Sequence, residues 1–317
     1  MDRRWSFAAL ALSAALASTA GAIPAATPLL REMRWIAADV PRTQLAQLLT
    51  TRPAACLAPP ANTANAHQIA IGQAMFSAPL LLGGQAARSG VSCAACHVGG
   101  RGNIHFVFPG VSGMPGTADV TSSLFSTRRG DGIVNPKPIP DLAADPPKIS
   151  RDPASPALRS FLRGLIVEEF DGLDPPARIL DGLAAYVRAL RSDCGGTEQR
   201  GVTNDAGNAA AAVMAARNAL AAGDSASARL LIGAARSALG QIDERFPNRP
   251  DIEALLMRRD GELRRLQADP SARKLARWAA QMRRDNAVMR AAEPGSLYAP
   301  AALERALASA AGSASQQ

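Results

Sequence analysis

The chain has 317 residues, 47% of them hydrophobic and 20% charged, with a formal charge of +8. That length can bury a substantial core and leaves room for two domains. The positive excess is spread along the sequence and aromatics make up only 4%, whereas a nucleic-acid protein concentrates its basic residues in a patch with aromatics beside it. No nucleic-acid partner is therefore expected, and the charge reads as a solvated basic surface, with an acidic redox partner as the minority reading.

The first residues read as a secretory signal. Met1-Asp-Arg-Arg is a basic start, residues 5–20 form an apolar run short for a membrane span, and Ala20-Gly-Ala22 makes an A-x-A-like cleavage site. The expectation is a periplasmic protein with no stable membrane insertion once residues 1–22 are removed, a retained anchor being the alternative. Residues 23–62 form a Pro- and Ala-rich extension. One short helix is expected over 41–50, capped near Asp39 and carrying Leu45, Leu48 and Leu49. Trp35 is expected to pack on the domain that follows.

Ile69, Gly72 and Phe76 fall at helical spacing and predict a helix over 65–76. Pro79, Gly83, Gly84 and Gly90 then mark a loop that leads into Val91-Ser-Cys-Ala-Ala-Cys-His-Val98. Within it Cys93, Cys96 and His97 spell C-x-x-C-H, the pattern in which two thiols add to the vinyl groups of a haem and the histidine ligates its iron. The spacing suits that chemistry: two sulfurs about one helical turn apart meet vinyls on neighbouring pyrroles, and the next residue faces the iron. The bland alternative is a local disulfide or thiol pair that happens to precede a histidine. One covalently attached haem c is the expected cofactor.

From residue 99 to 156 the chain is dense in Gly and Pro, with nine prolines between Pro109 and Pro156, too many for long helices or regular sheet. Around a haem such a stretch has a use, wrapping the macrocycle and presenting a sixth ligand. Two amphipathic helices follow, over about 156–170 and 176–191. Beyond Gly195-Gly196 the chain is Ala- and Arg-rich, and residues 205–317 hold no Cys or His. Helical patterns run through 209–220, then from Asp224 as a cap to Phe246, from Pro250 to Leu266, and from Asp269-Pro270 to Met289. Short links between them suggest an antiparallel bundle. The expected fold class is all-α: a cytochrome c-like haem domain over 63–196 with long irregular loops, followed by a C-terminal helical region over 205–317.

Residues 70–97, from Ala-Ile-Gly-Gln-Ala-Met-Phe-Ser-Ala-Pro-Leu to the C-x-x-C-H turn, resemble the bacterial di-haem cytochrome c peroxidase family. In that family a Leu-Gly-x-x-Leu-Phe-like helix leads through Asp-Pro-x-Leu and a Gly-containing loop to Ser-Cys-x-x-Cys-His. Ile71-Gly72, Met75-Phe76 and Ala78-Pro79-Leu80-Leu81 match, with Ala78 in place of the usual acid. The match weakens over 110–125 and becomes mere helical patterning over 158–191. Family members carry two C-x-x-C-H motifs and this chain has one, so the resemblance implies the domain's fold better than the family's catalysis.

The sixth iron ligand is the open question. Besides His97 only His67 and His105 remain, and beyond the expected leader Met33, Met75 and Met114 are the methionines before residue 200. Met114 sits in the Gly-rich loop Gly110-Val-Ser-Gly-Met-Pro-Gly-Thr117, which by rough alignment lies where the resembled family carries a distal ligand. It is the first candidate, His105 the second, and an open site the third. Met75 shares its helix with Ile69 and Phe76 and reads as core. Axial Met would suit electron transfer, while an open site would admit peroxide, whose cleavage also needs an acid or base among Glu168, Glu169, Asp119 and Asp131. Arg88 and Arg101 flank the motif and are the candidates for pairing with haem propionates. Cys56 and Cys194, the remaining cysteines, would close a loop stabilised by about 4–5 kcal/mol on the chain-entropy account. The functional expectation is a mono-haem c-type cytochrome passing electrons to a redox partner protein. A peroxidase-like enzyme is the alternative, and a haem-bearing interaction module whose helical C-terminus does the work is a third.

Overall fold

A turn over residues 38–40 leads to Pro41, and the first helix, Arg42–Thr50 (α1), begins directly after it. No side chain caps it, so Asp39 does not play the capping part expected of it. The computed structural model describes residues 29–314, and the expected leader over 1–22 lies outside the described residues. Helices account for nearly all the regular structure among them, and the only strands are pairs two or three residues long, so the chain is all-α.

After α1 comes a short strand, Thr51–Pro53 (β1), then Thr63–Phe76 (α2). This helix starts earlier than its apolar spacing indicates because Asn62 Oδ1 accepts the Asn65 N–H at 2.9 Å and satisfies a first-turn donor. The expected loop to the cysteines is largely helical in short pieces: a 3₁₀ turn at Pro79–Leu81, Gly84–Arg88 (α3), and the turn Cys93–Cys96 (α4). Residues 101–156 are irregular apart from the two-residue ladder of Thr117–Ala118 (β2) with Lys137–Pro138 (β3), as the proline density requires.

Ala157–Gly164 (α5) continues into a π-helical turn, Leu165–Glu169, where the sequence predicts one unbroken helix. Ala177–Ala189 (α6) then packs across α2, the two meeting at Gly72 and Gly182. Phe76 and Tyr186 close the crossing with ring centroids 5.1 Å apart. A strand at Thr197–Gln199 (β4) returns to pair antiparallel with β1. Leu57 bridges Leu190 beside that ladder, and Cys56 and Cys194 are paired there at disulfide distance, their Cα atoms 5.7 Å apart.

The N-terminal extension is stitched onto the side of the C-x-x-C-H turn rather than trailing from it. Met33 N–H donates to the Gly90 carbonyl, Ile36 bridges Phe106, and Trp35 packs on Phe108 at 4.3 Å while its Nε1 donates to the Ser89 carbonyl.

Val202–Ala221 (α7) starts several residues earlier than expected and forms a hairpin with Ser225–Asp243 (α8), whose first turn is capped by Asp224 Oδ1 on Ser227 N–H at 2.9 Å. Pro250–Ala268 (α9), Ala272–Ala292 (α10) and Pro300–Ala314 (α11) complete the region. Ser271, not Asp269, caps α10. Buried Asp260 binds both Arg236 and Arg264, and Asp285 binds Arg259, so these ion pairs fix how the helices register. Helix α2 contacts α7 and α8 as well as α6, so one continuous core runs through both halves.

Candidate functional site

Ser92 is extended and the chain turns helical at Cys93, so the three-residue spacing carries both thiols to one side of a single turn. Cys93, Cys96 and His97 all line one cavity of about 460 Å³. Its walls are mainly apolar: Phe76 from α2, Leu158 and Leu162 from α5, Leu165 and Phe170 from the π turn and its end, Val187 from α6. A volume of this order suits a cofactor-sized ligand.

His97 is held in one orientation and one tautomer. Its Nδ1 lies 3.1 Å from the Pro140 carbonyl oxygen, which has only lone pairs, so Nδ1 carries the proton and Nε2 keeps its own lone pair. Burial pushes the imidazole down to about 4, which keeps the ring neutral. The two cysteines are not bonded to each other, and burial pushes each thiol up to about 12. Catalytic thiol–disulfide exchange in a C-x-x-C pair uses a lowered thiol pKa, the opposite of the direction here.

The irregular stretch wraps this cavity, contributing residues 118–121, 135, 137–142, 147–149 and 151 to its wall. It does not bring the expected sixth ligand. Met114 is 75% exposed and lies outside the lining. The reason is local: Gly113 N–H donates to Thr117 Oγ1, and that hydroxyl donates to the Met114 carbonyl at 2.6 Å, closing the turn on itself and leaving the thioether outside. His105 faces a different cavity, its Nε2 3.3 Å from Gln44 Nε2. Met75 is buried in the core as expected, and His67 is exposed on α2. Among the described residues the lining contains no methionine and no histidine other than His97.

The expected propionate partners are also displaced. Arg88 is exposed and reaches only Gln85, while Arg101 is paired with Asp141 at 2.8 Å at the rim. The cations in the wall are Lys137, Lys148 and Arg151, the last held by the carbonyls of Leu142, Ala144 and Leu190. Arg151 and Pro140 escaped the sequence reading because both lie in the proline-rich stretch, where no period marks which residues turn inward.

Of the four acids, Asp119 and Glu169 line the cavity; Glu168 is bound to Arg129 and Asp131 is exposed. Burial works to raise Asp119, but hydrogen bonds from Asn135 N–H and from Thr121 outweigh it and hold the carboxyl below its ordinary range. Glu169 goes the other way: burial pushes it up, Arg129 opposes, and neighbouring Glu168 and Asp119 reinforce the rise. The π turn positions it, since Leu165 and Glu169, four residues apart, both reach the cavity.

No protein-family model, curated protein or solved structure matches this chain, so the resemblance over residues 70–97 stands on those residues alone. No helix among the described residues is long and apolar enough to cross a membrane.

Proposed function

We propose that this chain is a periplasmic mono-haem c-type cytochrome with a cytochrome c-like domain, exchanging single electrons with a protein partner. The observation that carries the reading is the His97–Pro140 hydrogen bond beside two neutral cysteines on the wall of one apolar cavity. The donor set fits a covalent haem: Cys93 and Cys96 for the two thioether bonds, and His97 Nε2 for the iron. Such a group supplies a one-electron iron couple. The chain's own residues exclude water through Phe76, Leu158, Leu162 and Phe170, and they offer Lys137, Lys148 and Arg151 to carboxylates at the cavity edge. The Cys56–Cys194 pairing supports an oxidising compartment.

A second reading, a peroxidase-like enzyme, is favoured by one specific observation. Beyond Cys93, Cys96 and His97 the lining offers no sulfur or imidazole donor among the described residues, and it holds Glu169, a carboxyl whose raised pKa suits it to keep and pass a proton. Mass spectrometry of protein made with a haem-attachment system tests both: a mass greater than the mature polypeptide by one haem is expected, and its absence overturns both. A reversible one-electron titration indifferent to peroxide selects the electron carrier, and a spectrum shifted by peroxide or cyanide selects the enzyme.

A further inference from the structure

A second cavity, of about 450 Å³, lies where the haem-motif half meets α7 and α8, and its lining is far more polar than that of the first. Four of its charged groups are Arg52, Glu198, Asp205 and Arg200, with Glu32 as the fifth. Arg52 is bound to Glu198, and Asp205 to Arg245 at 3.2 Å, so those charges are already matched. Glu32 and Arg200 are not. The Glu32 carboxylate accepts only the Ser92 hydroxyl, at 2.7 Å, and Arg200 Nε donates only to the Thr51 carbonyl, at 3.1 Å; neither forms an ion pair among the described residues. Burial pushes Glu32 upward against the pull of Arg200, Arg34 and Arg52, and burial together with Arg34 pushes Arg200 down to about 10 against the pull of Glu32 and Asp205, the signs of two charges withdrawn from water that attract each other across the cavity without direct contact.

Independent of the charges, Ser237 of α8 is 3% exposed, lines the same cavity, and its Oγ has no hydrogen-bond partner. A buried hydroxyl without a partner costs free energy that a bound polar group would restore. The cavity also has a mouth. Gln73 on α2, Ser77 just beyond its end, and Thr203, Gly207 and Ala211 on α7 are the exposed members of its lining, which leaves a way in for a small molecule between those helices.

We propose that this chamber binds a small zwitterion of the amino-acid class, its carboxylate on the Arg200 guanidinium and its ammonium on Glu32. A guanidinium takes a carboxylate in two parallel bonds, and the opposite charge of Glu32 in the same cavity selects a ligand carrying both signs. The inference does not depend on what the first cavity holds.

Isothermal titration of the full purified chain with a panel of L-amino acids and glycine betaine tests it. At least one amino acid is expected to bind one-to-one with Kd below about 1 mM, and its N-acetyl and carboxamide forms to bind about tenfold more weakly or worse, each having lost one charged contact. Arg200→Gln and Glu32→Gln, checked for native circular dichroism, are expected to weaken it by a similar factor. The inference is overturned if no panel member binds in that range, or if blocking either charge leaves affinity unchanged. It is overturned equally if betaine matches the best amino acid, since a quaternary ammonium cannot donate to Glu32. Because the derivatives are tested on the unaltered chain, a variant that fails to fold still leaves a decisive result.

Discussion

Gly72 of α2 faces Gly182 of α6 so closely that a Cβ on Gly72 would come within 2.1 Å of the Gly182 carbonyl oxygen and 2.6 Å of Tyr186 Cβ. Neither obstacle is a flexible side-chain end, so the helices themselves would have to part. Gly72→Ala should therefore destabilise by about 1–3 kcal/mol, read by chemical denaturation of the full chain. Gly207→Ala provides the contrast: nothing lies within 4 Å of a Cβ there, on an exposed turn of α7, and a gain of about 0.4–1 kcal/mol is expected. Equal effects at the two positions would contradict the close approach.

Both cysteines of the motif should be used. On the cytochrome reading, Cys93→Ala should leave one vinyl group unsaturated and move the reduced pyridine–haem band to longer wavelength. The double variant Cys93→Ala/Cys96→Ala should give up all its haem to acid–acetone extraction. Haem retained by the double variant would mean that attachment lies elsewhere.

Met114→Ala should leave the optical spectra of the oxidised and reduced protein unchanged, because the thioether is held outside the cavity by the Thr117 turn. Loss of a long-wavelength charge-transfer band in this variant would restore the methionine to the iron and refute the placement.

Glu169 carries a pH signature. Its folded pKa is raised above the ordinary 4.5, so the native state favours the neutral acid, and the stability this lends is complete below 4.5 and lost as pH climbs through the raised value. Glu169→Gln, neutral throughout, should gain stability relative to the parent across that window and run parallel to it above. On the enzyme reading the same variant should also slow reaction with peroxide by about 10²–10⁴-fold while leaving the resting spectrum alone. Parallel stability curves across the whole range would show that the carboxyl is ordinary.

Much of the helical frame is legible in the sequence because its determinants are local. Ile69, Gly72 and Phe76 mark α2 by spacing, and Asp224 marks the start of α8 by its capping oxygen. The haem-motif turn is legible for the same reason. What lines the rest of the cavity is not, since residues 99–156 have no period and their direction is set by short side-chain to main-chain bonds: Thr117 turning Met114 out, Asp119 gathering Thr121 and Asn135, carbonyls clasping Arg151. The sequence names those donors and acceptors without saying which pair. The π turn is hidden too, because Leu165 to Glu169 continue an amphipathic pattern that an ordinary helix would satisfy equally well.

The paired Cys56 and Cys194, 138 residues apart in sequence, sit beside the β1–β4 ladder and the Leu57–Leu190 bridge. Everything between them, including α2, the haem-motif turn and α6, begins and ends at one point. Tension applied to the two ends of the molecule would pass across this covalent shortcut, from α1 straight to α7, and the enclosed chain would lie off the load path. Under mechanical pull the segments outside the bridge, the N-terminal extension stitched onto Gly90 and Phe106 among them, would bear the load, and the enclosed backbone could lengthen only once the bridge was reduced.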